Sequence, residues 1–383
     1  MAEKKEGMAI GFITDEALAQ ARSRIGIDLR RFRYNTRATE DAVRHFCHGI
    51  GDENPLYMDP SYASRSRYGE IVAPPQFLNS VHWPGGGGMG FPGVHGFHSG
   101  NDWDWYKVIH LNDVITVKER LTDVVEKEGR FGGRMVIMYA EAVYRNQRDE
   151  VISKSLGWTF RVERRASRDK GKYSGIERAK YTAAELKAIE DDYLREEIRG
   201  AVPRYWEDVN IGDEMIPVVK GPLNMTDMFA FVAGTLGGGA LGRGGAHGIG
   251  VRYRLRHPSW SYTDPETGVT DIPEMVHSED SMAQEIGIPG AYDYGCQRVC
   301  WMCQLGTNWQ GDDGFLKNIY IELRRFNVLG DTTWMKGKVS KKYIKDGEHI
   351  VECECYGENQ RREATSPGRL TIALPSKAVT PVS

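Results

Sequence analysis

The sequence predicts an α+β protein built from two tandem units, each an antiparallel sheet wrapped around a central helix. Three observations predict it. Three stretches of the first half recur, in the same order, in the second half. Each half places a helix-bearing loop and a longer helix ahead of several β-rich alternating runs. A charged segment with one good helical run, Ala183-Ala-Glu-Leu-Lys-Ala-Ile-Glu-Asp-Asp-Tyr-Leu-Arg195, separates the halves. The expected units are 1–165 and 201–383, joined by a linker helix within 166–200.

The first repeated stretch is a helix start. Thr39-Glu-Asp-Ala-Val-Arg-His-Phe-Cys-His-Gly49 lines up with Thr226-Asp-Met-Phe-Ala-Phe-Val-Ala-Gly234, each with a threonine N-cap, an acid in the first turn and a terminal glycine. The second pairs Tyr57-Met-Asp-Pro-Ser-Tyr-Ala63 with His277-Ser-Glu-Asp-Ser-Met-Ala283, followed by Gly69 and Gly287. The third is a strand region: 118–146, running into Asn-Gln-Arg-Asp-Glu150, matches 336–359, running into Asn-Gln-Arg-Arg-Glu363. Most of the extra length of the second copy lies between Gly237 and Thr270.

Bulk composition excludes several classes. A length of 383 residues exceeds one small core and suits two domains. A net charge of −3 offers no basic field for nucleic acid. No run reaches the roughly 20 apolar residues of a membrane span. The first dozen residues carry acids and no long apolar run, unlike a secretory signal. Cys47, Cys296, Cys300, Cys303, Cys353 and Cys355 do not resemble a small secreted disulfide framework, so a reduced cytoplasm is expected.

The most specific local motif is Gly51-Asp-Glu-Asn-Pro-Leu-Tyr-Met-Asp59. It resembles the hydratase motif of MaoC-like and R-specific enoyl-CoA hydratases, Gly-Asp-x-Asn-Pro-x-His-x-Asp. The resemblance extends through both repeats, to the tandem form with a FAS1-like dehydratase N-terminal domain. It implies a double hotdog fold. It also implies hydration or dehydration of an acyl-thioester, in which a carboxylate and an imidazole hold one water while a backbone N–H stabilises the thioester oxygen. The family's Asp maps onto Asp52 and its Asn onto Asn54. Tyr57 replaces the histidine, and a phenol with a pKa near ~10 is a poor base at neutral pH. Where the family has an oxyanion glycine, the first repeat reads Val72-Ala-Pro-Pro75, and Pro75 has no N–H.

The second repeat supplies what the first lacks. The resemblance places His277 at the histidine position and Gly295 at the oxyanion position. Asp271 lies six residues before His277 where the family has five, with Glu274 closer. Two arrangements follow: a competent second repeat using Asp271 and His277 beside a first repeat that shapes the acyl pocket, or a composite site joining Asp52 to His277. The first is preferred.

Other features carry less. His95 and His98, near the glycine-rich 85–88, lack a third ligand for a metal and are expected on a loop lining the pocket. Trp103, Trp105 and Tyr106 read as strand core or tunnel wall. Gly237-Gly-Gly-Ala-Leu-Gly242 follows a helix-like run, contrary to a dinucleotide site. Cys296, Cys300 and Cys303 share one face of a buried helix starting near Gly295, and Arg298 on that helix meets either substrate or a structural acid. The leading expectation is a hydro-lyase acting on an enoyl-CoA-type thioester. It needs no cofactor, metal, nucleic acid or membrane, and it works as a homo-oligomer. The alternatives are a non-catalytic acyl-thioester-binding partner subunit and, less favoured, a hotdog thioesterase.

Overall fold

The computed structural model describes residues 7–8, 11–29, 34–85, 90–128, 134–163, 177–236, 246–258, 261–264 and 267–378. The glycine runs at 86–88 and 237–242 and the first part of the linker lie outside them.

The alternating runs of both halves form one ten-stranded antiparallel sheet. The first half contributes β1 (Asp28–Leu29), β2 (His95–Trp105), β3 (Thr116–Glu128), β4 (Arg134–Arg145) and β5 (Val151–Val162). The second contributes β6 (Glu214–Lys220), β7 (Phe315–Glu322), β8 (Thr333–Lys345), β9 (Glu348–Asn359) and β10 (Ala364–Leu374). Their order, β1-β3-β4-β5-β2-β7-β10-β9-β8-β6, reads as the same five-strand pattern from either edge. The halves meet where Gly100–Asp104 of β2 pair with Asn318–Glu322 of β7.

Helices accompany the sheet. The ones used below are α1 (Asp15–Arg22), α2 (Glu40–Ile50), α3 (Ala183–Tyr193), α4 (Met225–Phe231) and α5 (Gly295–Gln310). The linker helix α3 has the expected start, with Thr182 and Glu185 capping each other. α2 is capped by Thr39 as expected, but it runs through Gly49 to Ile50, and Gly51 takes the left-handed cap at φ 66°. α4 starts earlier than expected: Asn224, not Thr226, is its cap, paired with Asp227.

The repeated glycines Gly49 and Gly234 have a shared cause. A Cβ on Gly49 would stand 2.9 Å from the Ala230 carbonyl, and one on Gly234 would run into the His45 carbonyl. The two repeats therefore cross at a glycine-on-glycine contact that any side chain would wedge apart.

The central helices differ. In α5 every residue after Gly295 is buried, including Cys296, Cys300 and Cys303, whose thiols are free. Its first-repeat counterpart is only a short turn, Pro75–Phe77, continued by Leu78–Val81. Proline opens it well. It then stalls because Asn79 donates to the Gln76 carbonyl and Ser80 to the Phe77 carbonyl, acceptors a continuing helix would use. Pro84 follows, disfavouring helix in the residue before it. The expected long helix is thus present in one half alone.

Candidate active site

The first-repeat motif is folded tightly but holds no imidazole. Asp52 is 1% exposed. Its Oδ1 accepts the Asn54 N–H at 3.1 Å, and Gln76 approaches Oδ2 at 3.5 Å. Burial pushes its carboxyl up to about 6, although the Lys220 ammonium pulls the other way. Asn54 caps the helix Pro55–Met58 through the Leu56 N–H. Tyr57 is buried, and burial, with Asp52 beside it, pushes its phenol up, further from acting as a base. Pro75 gives its carbonyl to the Trp105 indole at 2.9 Å and has no N–H to offer a substrate.

Two second-repeat side chains hold this segment. Lys220 on β6 donates to the carbonyls of Ile50 and Gly51 at 2.8 and 3.0 Å, and Gln304 on α5 donates to Gly51 at 2.9 Å. Neither was legible in the sequence, because these contacts span more than 150 residues of chain.

The N-terminus of α5 gathers the other candidates. His277 ends the turn Pro273–His277, and its ring lies 3.9 Å, centroid to centroid, from that of Tyr294, the residue preceding Gly295. Its Nδ1 sits 2.8 Å from the Tyr292 carbonyl. A carbonyl only accepts, so Nδ1 carries the proton and Nε2 keeps its lone pair. Among the described residues Nε2 has no hydrogen-bond partner. Burial, with the Arg298 charge adding to it, pushes the imidazole down to about 4, so it is neutral at pH 7.

His98 comes to the same place from the first repeat. It was expected on a loop with His95, but both stand on β2. Asn101 donates its amide to the Pro84 carbonyl at 3.3 Å and so turns Oδ1 toward His98 Nε2, 2.6 Å away. A register shift between His98 and Gly100 makes this pairing possible, since a regular strand would aim residues three apart to opposite faces. The acceptor Nδ1 of His98 faces Gly295: a Cβ there would lie 2.5 Å from it and 2.7 Å from Leu323 Cδ1. His98, like His277, is pushed down to about 4 by burial. His95 packs on Phe97 at 4.5 Å, one face removed.

Arg298 belongs to the structural alternative. Its guanidinium grips Asp293 at 2.8 and 3.1 Å and donates to the Arg325 carbonyl at 2.6 Å, all of it buried. Asn327 completes the set on Asp293. Arg298 therefore acts on the site through its field, by lowering both histidines.

No hydrogen bond or ion pair among the described residues joins Asp271 to His277. Asp271 pairs with Tyr262 in a small three-stranded sheet, and its carboxylate accepts the N–H of Ile272. None joins Asp52 to His277 either; the carboxylate of Asp52 meets Asn54 and Gln76. Besides Asp293, Glu274 bears on this end of α5: burial, and after it the Glu274 charge, push the Tyr294 hydroxyl up. Sequence reasoning also missed a buried carboxylate–imidazole pair, Glu119 with His82 at 3.1 Å, one residue from Trp83, which packs edge-on to His98 at 4.7 Å. Its members are 37 residues apart on different elements, and no local signal joins them.

Residues 23–155 match the family model described as a FAS1-like, dehydratase domain region. A UPF0336 protein of Thermobifida fusca is 28% identical over 99 residues, covering 24% of this chain and 64% of that protein. A MaoC-like dehydratase of known structure superposes with TM-score 0.61 at 13% identity, covering 93% of this chain and 100% of the other. A conserved hypothetical protein from Mycobacterium tuberculosis, described as having a double hotdog fold, superposes with TM-score 0.50 at 9% identity over 90% of this chain and 94% of its own. Residues 23–155 thus match a FAS1-like dehydratase domain region, and the chain as a whole shares the double hotdog fold of these solved structures.

Proposed function

We propose that the chain is a hydro-lyase that adds or removes water at the double bond of an enoyl-thioester of the acyl-CoA type, with its chemistry in the second repeat. The observation that carries this reading is the state of His277: neutral, with Nδ1–H bound to a backbone carbonyl and Nε2 without a partner among the described residues, beside the start of a 16-residue helix. In the hydration direction Nε2 takes a proton from water as the oxygen bonds to the β-carbon. The electron pair of the double bond moves onto the thioester oxygen, which the N–H of Gly295, the residue that opens α5, stabilises. Return of a proton to the α-carbon completes the addition. The FAS1-like dehydratase region supports the reaction class.

Two carboxylates compete for the water-holding role. Asp271 is the acid that family spacing suggests; Glu274 is the one whose charge reaches Tyr294. The preserved hydrophobic shell and missing N–H of the first repeat suit it to enclosing substrate.

Incubation with a panel of enoyl- and 3-hydroxyacyl-CoA esters, followed by mass spectrometry, tests the reaction. Gain or loss of one water is the expected result, with Asp271→Asn and Glu274→Gln separating the two acids. Release of free acid would make the protein a thioesterase. Retention of unchanged ester would make it a binding subunit.

A further inference from the structure

Both repeats build the seat of Gly295. The glycine is half-buried between two buried runs, Ala291–Tyr294 and Cys296–Gln310, so α5 is reachable at its first residue and sealed beyond it. Its φ is not positive, so the backbone itself does not demand glycine there. Space does: a Cβ would stand 2.5 Å from His98 Nδ1, 2.7 Å from Leu323 Cδ1 and 3.1 Å from His98 Cγ. The Tyr294 N–H is taken by Gln297 Oε1 at 2.8 Å, and the Gln297 N–H by the Tyr294 carbonyl at 2.9 Å. Among the described residues no acceptor meets the Gly295 N–H.

The walls of this seat are tied down. Asn101, fully buried on the same strand as His98, takes the Nε2–H of its ring at 2.6 Å and anchors itself on the Pro84 carbonyl at 3.3 Å. The Trp83 ring packs edge-on to His98 at 4.7 Å. Across the seam the Leu323 N–H donates to the Ser99 carbonyl at 2.9 Å, which bonds the second-repeat wall to the residue after His98. Arg298, near the start of α5, donates to the Arg325 carbonyl at 2.6 Å and so ties the helix to the stretch that carries Leu323.

We propose that His98 is a positioning residue for the second-repeat chemistry: held by Asn101, its ring fixes where the Gly295 N–H points, so the oxyanion donor of one repeat is set by the other. This rests on the reading of Gly295 as that donor. Such a donor works by being held in place before charge develops, and a displacement of about 1 Å costs on the order of 10²-fold in rate. His98 passes no proton itself, because its Nε2–H is committed to Asn101 and its Nδ1 is buried against the helix backbone.

Steady-state kinetics with an enoyl-CoA ester and ¹⁵N relaxation of the Gly295 amide, both on the full chain, test this. The amide signal is identified by its loss in Gly295→Ala. His98→Ala is expected to lower kcat by about 10–10²-fold with KM within about twofold of the parent. Asn101→Leu keeps the ring but frees it, and a smaller fall in kcat is expected. Circular dichroism checks that both variants fold. The order parameter of the Gly295 N–H is expected to drop from about 0.85 to below about 0.6 in His98→Ala, with the rest of α5 unchanged. Relaxation needs no turnover, so the two readings fail separately. A parent that adds no water to any enoyl ester overturns the hydro-lyase reading, whereas an unchanged order parameter in His98→Ala overturns the positioning of Gly295 by His98. A raised KM with kcat unchanged in His98→Ala also overturns the positioning role.

Discussion

At Gly295 the missing side chain has a mechanical cause as well as a chemical one. The His98 ring stands where a Cβ would project, so the glycine that resembles an oxyanion donor is also a seat for a first-repeat histidine. Gly295→Ala is expected to lose about 1–3 kcal/mol of stability by overpacking, read by denaturant unfolding. In the background of His98→Ala the same change should cost much less, and equal costs in both backgrounds would show that the ring is not the obstacle. His277 and Gly295 were legible because each sits in a repeated or motif-like stretch. The role of Asp271 was less legible, since sequence spacing in a loop says nothing about where its chain turns: Asp271 stands in a short strand paired with Tyr262. His98 was legible as a pocket residue but not as a partner of Gly295, because that depends on a one-residue register shift in β2.

Among elements, the contrast between α5 and its stunted counterpart is the largest difference between the repeats. Both prolines of the first repeat were visible, and they predicted the lost N–H; the side-chain capture of carbonyls by Asn79 and Ser80, which shortens the helix, was not foreseen. The shorter helix leaves the C-terminus of α2 to be held from across the molecule by Lys220 and Gln304. Asp52 is sealed in this clamp, and its pH dependence follows. Its carboxyl is raised in the fold to about 6, above its usual value of 3.8. The folded chain therefore binds the proton more tightly, and the resulting stability is full below pH 3.8 and fades as pH rises through 6. Asp52→Asn removes that loss. Between pH 4 and 6 the variant is expected to gain on the parent by up to about 3 kcal/mol, at about 1.4 kcal/mol per pH unit, measured by urea unfolding across that range. A constant difference between the two proteins would place Asp52 in a more solvated setting than the structure shows.

Across the whole molecule, the α+β class and the tandem arrangement were legible because each half repeats its order of helices and alternating strands. The continuous sheet was not, since nothing in the pattern says that β2 and β7 pair edge to edge at Gly100–Asp104 and Asn318–Glu322. That seam matters for function. It places β2, with His98, beside the strand that follows α5, and so, on the proposed reading, one repeat furnishes wall and packing for the chemistry of the other. The division of labour between the halves is the central claim, and turnover of an enoyl-CoA by paired variants tests it most directly. His277→Ala is expected to reduce turnover by about 10²–10⁴-fold, the usual contribution of a positioned general base, while Tyr57→Phe in the first repeat retains activity within a few-fold of the parent. Full activity in His277→Ala together with its loss in Tyr57→Phe would contradict the account and move the chemistry to the first repeat.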